Sequence, residues 1–561
     1  MNLRGFLSER VGKAFRAAGV DDPEPMLRPS GRPEFGDYQA NGAMAAAKRL
    51  RTNPRVLATA IAEAFTDASP GIAEQVDVAG PGFVNITLSS AFLSKRLGSV
   101  DIERTPDPDR AVLDYSSPNL AKEMHVGHLR TTIGDAMARI LEALGHEVIR
   151  QNHVGDWGTQ FGMLVAHLED LQEDAAELKD LEVFYAEARK RFDADTAFAD
   201  RARRTVVDLQ RGDEAVRGYW RRFIDISLSH CRAVYETLGI TLTDADLDAE
   251  SRYNDALPKV VEDLDRAGLL TESDGAMCVF LEEFEAPVIV QKRDGGYLYA
   301  TSDLAAARLR TDHYRADRVL YFTDARQSLH FRQFFAVARK AGFVAEECSL
   351  EHHPFGAILG QDNRPFKTRT GGVVKLADLL DEAVERARGL VEEKNPELTG
   401  AEADRVARAV GIGAVKYADL SKHRTSDYVF DWDTMLSFDG NTAPYLQYAF
   451  ARIQSIFRRA GVSADSLEAA PAVVEPEERR LAVLLLRFQE TLEQVASEAL
   501  PHLLCAYLYE LASRFMQFYE ACPVLDAPGE SRASRLRLCA LTAETLQRGL
   551  GLLGIETVER M

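Results

Sequence analysis

A strand–helix–strand pattern after residue 110 is the feature that most constrains the fold of this chain. The short apolar run at residues 111–115 predicts a strand, and the run at residues 147–152 predicts a second one. Apolar residues recur between them at helical spacing: Leu129, Ile133, Met137, Ile140 and Leu144. A strand, a helix and a strand in such close succession form a βαβ unit. We therefore expect a parallel sheet with a ligand site at the carboxyl ends of its strands.

The remaining pattern predicts three domains and an α/β fold class. Residues 1–104 mix helical patterns with a closing strand, which indicates a small α+β domain. Residues 105–400 contain the βαβ unit and further strands, with a charged helical insertion at about residues 170–265. Residues 401–561 are helical almost throughout and predict an all-α bundle.

Composition excludes several classes of protein. The 561 residues include 67 Lys and Arg against 87 Asp and Glu, a formal net charge of −20. Such a chain does not coat nucleic acid as a histone does, although a local basic patch can still bind a structured RNA. The six cysteines are scattered without metal-ligand spacing, so we expect buried, reduced thiols and no structural metal. No apolar stretch is long enough to span a bilayer, and we expect a cytoplasmic protein without membrane association.

A polar segment with two histidines joins the first strand of the βαβ unit to its helix. Residues 116–128 read Ser-Ser-Pro-Asn-Leu-Ala-Lys-Glu-Met-His-Val-Gly-His. His125 and His128 are three residues apart and can face one group, while Gly127 removes a Cβ where a ligand would approach. Lys122 adds a positive charge, and the start of a helix favours an anion. The segment predicts a nucleotide triphosphate site without a Walker motif. A capped helix with two incidental histidines is the alternative interpretation.

These histidines resemble the HIGH motif of class I aminoacyl-tRNA synthetases, and other stretches are similar to arginyl-tRNA synthetases in particular. The similar stretches are residues 35–39, 116–119, 152–162, 444–448 and 559–561, so the resemblance runs nearly the full length. It implies a Rossmann-like catalytic domain at residues 105–400. It also implies an N-terminal domain that contacts tRNA and a helical anticodon-binding domain at the C-terminus.

The resemblance implies an ATP-dependent ligase that joins L-arginine to tRNA(Arg) through an arginyl-adenylate, releasing AMP and pyrophosphate. It also implies that tRNA must be present before arginine is activated. We expect a monomer, with Mg²⁺ carried by the ATP phosphates. The implied catalytic residues are His125, His128, Lys122 and Lys367, and the implied ATP contacts are Gly127, His125, His128 and Arg369.

A basic loop at residues 360–372 carries Arg364, Lys367 and Arg369. By position it resembles the KMSKS loop of the class, although the two-lysine sequence is missing. Related arginyl enzymes combine such a loop with a lysine ahead of the first histidine, where Lys122 stands here. Whether Lys122 or Lys367 faces the triphosphate stays open, and a basic surface turn is the alternative interpretation of the loop.

A guanidinium is planar, forked and permanently charged, so its pocket needs a carboxylate that accepts two parallel N–H bonds. The candidates for the arginine pocket are Asp114, Asn119, Tyr299, Asp303 and Gln327. Asp303 follows a predicted strand at residues 297–299 and could instead be the N-cap of the next helix. Asp114 could be an ordinary turn acid. His153 and His330 lie inside family motifs, where lining the site and a structural hydrogen bond are both open.

The aromatic residues of the C-terminal bundle recur at helical spacing, which predicts core packing for most of them. Tyr445, Tyr448 and the terminal Met561 are exceptions, because they match positions that the arginyl family uses near the anticodon. Two other functions remain open: a paralogue serving an antibiotic or resistance pathway, and a non-catalytic tRNA-binding or regulatory module. A dinucleotide-dependent oxidoreductase is excluded because the G-x-G-x-x-G turn is missing.

Overall fold

The computed structural model describes residues 1–171, 181–293, 295–364, 366, 374–467 and 471–561. These residues form two compact units. The first unit comprises Met1–Arg104, Leu390–Val410 and Leu436–Met561, and the second comprises Thr105–Gly389 and Gly411–Met435.

The helices of the described residues are α1 (Leu3–Ala17), α2 (Ala43–Leu50), α3 (Pro54–Ala68), α4 (Ser90–Arg96), α5 (Thr131–Ala143), α6 (Thr159–Leu171), α7 (Leu181–Ala194), α8 (Thr196–Arg211), α9 (Glu214–Leu238), α10 (Leu257–Arg266), α11 (Tyr299–Asp312), α12 (Ser328–Lys340), α13 (Leu376–Lys394), α14 (Gly400–Leu420), α15 (Trp432–Met435), α16 (Ala443–Ala460), α17 (Pro476–Leu486), α18 (Phe488–Glu498), α19 (His502–Ala521) and α20 (Gly529–Leu552). The strands are β1 (Leu27–Pro29), β2 (Tyr38–Ala40), β3 (Ala73–Ala79), β4 (Phe83–Leu88), β5 (Arg110–Asp114), β6 (Glu147–Gln151), β7 (Leu270–Ser273), β8 (Ala276–Val279), β9 (Val288–Gln291), β10 (Arg318–Tyr321), β11 (Ser349–His352), β12 (Ile358–Leu359) and β13 (Tyr428–Val429).

A four-stranded parallel sheet organises the second unit, in the order β11-β10-β5-β6. The chain leaves β5 towards β6 on one side and later returns through β10 on the other. A sheet of this kind has its topological switch point between β5 and β10, where ligands bind at the carboxyl ends. At that edge Asp114 pairs in register with Tyr321 and Gln151. The predicted βαβ unit and the predicted parallel sheet are confirmed.

Helices α10, α11 and α12 contribute much of the packed core of this unit. Leu264, Leu304 and Val337 are fully buried there together with the sheet residues Val112 and Val319. Burial of such aliphatic side chains is the main favourable contribution to the stability of the unit. Because α11 is held against the core along its length, the side chains of its first turns have fixed positions at the edge of the sheet.

The strands β7, β8 and β9 form a separate antiparallel sheet in the order β7-β8-β9. The strand predicted at residues 297–299 is wrong. Tyr297 makes one isolated bridge to Gln291, and α11 begins at Tyr299. The cause is a short apolar run that fits a strand or a buried helix start equally well by pattern.

The first unit combines a four-stranded antiparallel sheet, ordered β1-β2-β4-β3, with α1, α2 and α3 and with the helical bundle α16–α20. An ion pair joins Arg479 of the bundle to Asp37, and Tyr38 donates a hydrogen bond to Glu490 at 2.8 Å. The α/β fold class with a small α+β part and an all-α part is confirmed.

The six cysteines are all buried and none of them forms a disulfide, as predicted from their spacing. Along the described ranges, no helix combines the length and the apolar character needed to cross a bilayer.

Candidate active site

Two histidine rings lie side by side where β5 connects to α5. His125 precedes a 3₁₀ turn at Val126–Arg130, and α5 begins only at Thr131. The ring centroids of His125 and His128 are 4.2 Å apart. The sequence predicted that both rings share one face of a helix. They do meet, but through the 3₁₀ turn, in which residues three apart eclipse each other.

Backbone hydrogen bonds fix the orientation of both rings. Gly127 N–H donates to His125 Nδ1 and His125 N–H donates to His128 Nδ1, both at 3.0 Å. A ring nitrogen that accepts a hydrogen bond carries no proton, so these two bonds favour the proton on Nε2 in each neutral ring, although Nδ1 of His128 also lies 3.2 Å from His125 O. The pair therefore presents two N–H donors, which suits the oxygens of a phosphate.

Both rings are held in the neutral form. Burial, followed by the charge of His125, lowers the pKa of His128 to about 3. Burial lowers the pKa of His125 as well, with further contributions from the charges of Lys122 and Arg326. The histidines can thus donate hydrogen bonds throughout the physiological pH range, and the positive charge near them comes from Lys122 and Arg326.

Gly127 is required by the histidine turn itself. A Cβ at this position would lie 2.8 Å from Cε1 of the His125 ring, closer than real side chains approach. The sequence predicted that the missing Cβ leaves room for a ligand, whereas in the structure it leaves room for the His125 ring.

The loop after β5 is held in an unusual backbone conformation. Ser116 and Ser117 have φ values of 74° and 47°, which non-glycine residues seldom adopt. Ser117 donates through Oγ to Asp114 at 2.9 Å, and its N–H donates to Asn152 Oδ1 at 2.9 Å. Asn119 Oδ1 accepts from Ala121 N–H at 3.0 Å. These bonds stabilise the strained loop next to the carboxyl end of β5.

The described cations of the site lie on both sides of the switch point. Lys122 is exposed, with its Nζ 4.6 Å from the centroid of the Tyr185 ring. Arg326 follows β10 and forms an ion pair with Asp324 at 2.8 Å. Sequence reasoning missed Arg326, and no spacing rule would have connected it with His125.

The described residues on either side of the basic loop are hydrogen-bonded to other segments of the unit. Upstream, β12 pairs in parallel with β13. Downstream, Val126 N–H donates to Val374 O and Leu376 N–H donates to Met124 O, which places the loop exit beside His125. Lys367 and Arg369 lie outside the described residues.

Tyr299 and Asp303 face the same side of α11. Tyr299 is the first residue of this helix and Asp303 is four positions further on, so their side chains are neighbours. The N-cap position belongs to Leu298. The alternative that Asp303 caps the helix is therefore wrong. Tyr299 is 64% exposed, while Asp303 is partly buried and contacts two histidines.

Asp303 belongs to an alternating chain of acidic and basic groups at the carboxyl edge of the sheet, which runs from His330 to Asp114. His330 Nε2 lies 2.6 Å from Asp303 Oδ2, and His153 Nε2 lies 4.0 Å from its other oxygen. His153 Nδ1 lies 3.3 Å from Asp248. Arg310 then bridges Asp248 at 3.4 Å and Asp114 at 2.7 Å. We call these six residues, His330, Asp303, His153, Asp248, Arg310 and Asp114, the charge chain.

The charge chain shifts the pKa values of its histidines and of Asp248. Burial alone would lower the pKa of His153, but the hydrogen bond to Asp248 and the charges of Asp114 and Asp303 raise it to about 9. Against the effect of burial, His153 and Arg310 lower the pKa of Asp248 to about 2. Asp303 likewise outweighs burial and raises the pKa of His330. Contact with Asp303 thus favours the protonated form of both imidazoles.

The other predicted pocket residues have different surroundings. Asp114 is buried and bound by Arg310 and Ser117, so its carboxylate already has a guanidinium partner. Gln327 is exposed and directly precedes α12, which carries His330. Burial, followed by the charge of Glu250, a residue that sequence reasoning missed, raises the pKa of Tyr299. Burial, with the charges of Asp156 and Asp303, raises the pKa of Glu250 to about 7.

We expect that Arg310→Met lowers the free energy of unfolding of the second unit by about 3–5 kcal/mol, because Asp114 and Asp248 would remain buried without their cation. Arg308→Met on the same helix is the control. Its ion pair with Asp263 is partly exposed and should contribute less than about 1 kcal/mol. Urea denaturation followed by intrinsic fluorescence measures both. Equal effects of the two variants would contradict a central role for Arg310.

The predicted anticodon residues lie on or beside α16 in the first unit. Tyr448 is exposed, and Tyr445 is half-buried with its ring 5.6 Å from that of Tyr509. The buried Gln447 between them donates to Glu556 O at 2.7 Å, which ties the C-terminal segment ending in Met561 to α16. The predicted core packing of the other aromatic residues is confirmed for those that the structure buries: Phe450, Tyr507, Phe515 and Phe518.

Three family models cover this chain. The one described as tRNA synthetases class I (R), catalytic domain, matches residues 87–432. The DALR anticodon binding domain matches residues 446–561, and the arginyl tRNA synthetase N terminal domain matches residues 2–88. The parallel sheet with its histidine turn thus defines a class I aminoacyl-tRNA synthetase.

Relatives that match over the full length narrow this class. The arginine–tRNA ligases of Cellvibrio japonicus and Escherichia coli are 56% and 55% identical to this chain, over 100% of both sequences in each case. The arginyl-tRNA synthetase structure from Plasmodium falciparum has a TM-score of 0.88 at 29% identity, covering 100% of this chain and 99% of that chain. The structure from Thermus thermophilus has a TM-score of 0.85 at 27% identity, covering 100% of both chains. This chain belongs to the arginyl-tRNA synthetase family.

Proposed function

We propose that this protein attaches L-arginine to tRNA(Arg) in two steps. The arginine carboxylate attacks the α-phosphorus of ATP, which gives arginyl-adenylate and pyrophosphate. A ribose hydroxyl at the tRNA 3′ end then takes the arginyl group, and AMP leaves. The observation that carries the proposal is the partly exposed Asp303 of the charge chain, which lies at the same edge of a parallel sheet as the paired donors of His125 and His128.

The histidine pair would act on the phosphates. Phosphoryl transfer needs little covalent chemistry from the protein, so its main contributions are positioning and stabilisation of charge. The Nε2–H groups of His125 and His128 are oriented before ATP binds, because backbone N–H groups already occupy both Nδ1 atoms. Lys122 and Gly127 belong to the same proposal. So do Lys367 and Arg369, since their loop ends beside His125.

Asp303 would receive the guanidinium of arginine. Its carboxylate is partly exposed, Tyr299 lies one turn away on the same face of α11, and Gln327 precedes the helix that carries His330. Asp114 is bound by Arg310, so we propose that it orients Asp248 and the loop after β5 and leaves the guanidinium to Asp303. Asn119 belongs to the same loop and would contact the α-amino end of arginine.

Mg²⁺ would arrive with ATP. Across the described ranges, no three His, Cys, Asp or Glu side chains form a cluster able to hold a metal ion. We propose that the ATP phosphates would carry the ion, which would supply positive charge near the leaving pyrophosphate.

We propose the tRNA contacts at both ends of the chain. Residues 1–104 would contact the body of the tRNA, residues 105–400 would carry the catalytic site, and residues 401–561 would receive the anticodon. Tyr445, Tyr448 and Met561 are the proposed anticodon contacts. The exposed ring of Tyr448 can stack on an unpaired base, an interaction worth about 1–3 kcal/mol.

A charging assay with each of the twenty amino acids and total tRNA tests this function. We expect arginine alone to be esterified to tRNA. An amino acid without a guanidinium would leave the partly buried carboxylate of Asp303 unpaired, so the site would reject that amino acid. Failure to charge any amino acid would favour a non-catalytic tRNA-binding module. Charging of a second amino acid at a similar rate would contradict the proposed role of Asp303.

A further inference from the structure

The candidate guanidinium acceptor has other partners in this structure. Oδ2 of Asp303 lies 2.6 Å from His330 Nε2, and Oδ1 lies 4.0 Å from His153 Nε2. A guanidinium that binds a carboxylate through two parallel N–H bonds needs both oxygens. The two imidazoles therefore stand where the nitrogens of a substrate side chain would have to be.

The charge chain is balanced before a substrate arrives. Three carboxylates alternate with one guanidinium and two imidazoles, and every neighbouring pair lies within 4.0 Å. Arg310 is buried, the side chain of His153 is 12% exposed, and both have partners on both sides. A substrate guanidinium would add a fourth cation to this chain. The extra positive charge is costly in a partly desolvated site unless a proton leaves.

We infer that His330 is a placeholder for the substrate's cationic side chain, which displaces it from Asp303 and causes its ring to release a proton to the solvent. The inference rests on the proposed function, because it takes a guanidinium as the arriving cation. His330 is thereby a specificity-determining residue. A neutral side chain of the same shape cannot replace the charge that the imidazole supplies to Asp303.

The surroundings of His330 favour release of its proton. The ring of His330 stacks on that of Phe334, which belongs to the same helix α12. A second neighbour, His352 on β11, is neutral, because burial and nearby cations lower its pKa to about 4. Burial also disfavours the charged form of His330, and the hydrogen bond and charge of Asp303 outweigh it. When a guanidinium takes Asp303, this compensation is lost and the neutral ring becomes the stable form.

Other groups also act on Asp303. His153 approaches it from the end of β6, Glu250 from a 3₁₀ segment, and Tyr299 from its own helix. His153 keeps its contact with Asp248 and remains charged. Glu250 has a pKa of about 7, so an arriving cation would release a proton from it as well. The contributions of His330 and Glu250 must therefore be measured separately.

The sign of the pH dependence follows from this exchange. If binding releases protons, arginine binds more tightly as the pH rises through the pKa that His330 has in the free protein. At lower pH the protonated imidazole competes with the guanidinium for Asp303. The dissociation constant for arginine is therefore expected to fall as the pH rises, by about tenfold per pH unit for each proton released.

Isothermal titration calorimetry of the full chain with L-arginine, without ATP, tests the inference. Titrations at pH 7 in buffers of different ionisation enthalpy give the number of protons released. We expect wild type to release a measurable fraction of a proton on binding arginine. His330→Gln, which retains an amide near the position of Nε2, should release measurably less and show a flatter pH dependence. Glu250→Gln should remove the part of the proton release that comes from Glu250. His313→Gln, at the far end of α11, should behave as wild type.

The outcomes separate the inference from the proposed function. Arginine binding without proton release by wild type overturns the inference, and this measurement needs no variant. Undiminished release by a folded His330→Gln protein overturns it as well. Absence of both arginine binding and arginine charging by wild type overturns the proposed function, and the inference with it.

Discussion

Alanine at position 128 is expected to slow the formation of arginyl-adenylate by a factor of about 10²–10³, the usual cost of removing one preorganised donor from a developing charge. The ring of His128 is fixed by the N–H of His125, so the donor at Nε2 needs no reorganisation when ATP binds. His125→Ala is expected to have an effect of similar size. Because burial keeps the pKa of His128 at about 3, the effect should be the same from pH 6 to pH 8.

Arginine-dependent exchange of pyrophosphate into ATP, with tRNA present, measures this step. His313→Ala is the control, because this residue follows the last turn of α11 and belongs to neither the histidine turn nor the charge chain. The KM for arginine should change little in His128→Ala. Exchange within a few-fold of wild type in both histidine variants would contradict a role of the pair in catalysis.

The sequence predicted the parts of the site that are local in the chain. The βαβ pattern located β5, α5 and β6 to within a few residues, because apolar periodicity is strong in all three. The three-residue spacing correctly predicted that His125 and His128 lie side by side. The turn that carries them is 3₁₀, however, and α5 starts later than predicted. Local propensity determines the type of an element better than it determines its ends.

The charge chain could not be predicted, because its members are distant in sequence and joined only by the sheet. Asp248 and Arg310 belong to no recognisable motif. The sequence does not show that the arginine at position 310 of α11 is buried, because residue type alone does not distinguish a buried arginine from an exposed one. Asp303 looked like a helix cap because residues 297–299 fit a strand by pattern. In the structure the helix begins at Tyr299, so Asp303 lies on the second turn of α11 and does not cap it.

This placement of Asp303 gives the second large expectation. Asp303→Asn should raise the KM for arginine by about 30-fold to 10³-fold, the cost of removing one partner of a desolvated, hydrogen-bonded charge pair. The KM for ATP should change less than a few-fold. The amide keeps one acceptor oxygen, but its NH₂ group meets the guanidinium N–H groups with like polarity. The ratio of kcat/KM for arginine to kcat/KM for its neutral analogue citrulline should also fall, because the negative charge that favours the cationic substrate has been removed.

Steady-state charging kinetics with arginine and ATP varied in turn measure both constants, and Asp312→Asn at the far end of α11 is the matched control. This control changes the net charge of the same helix by the same amount. It therefore distinguishes the loss of a direct contact with arginine from a general change in the electrostatic potential of the helix. A rise of both KM values by the same factor would remove Asp303 from the pocket, since damage to the fold affects both substrates. A selective rise for arginine, combined with lost discrimination against citrulline, requires that this carboxylate bind the charged end of the substrate.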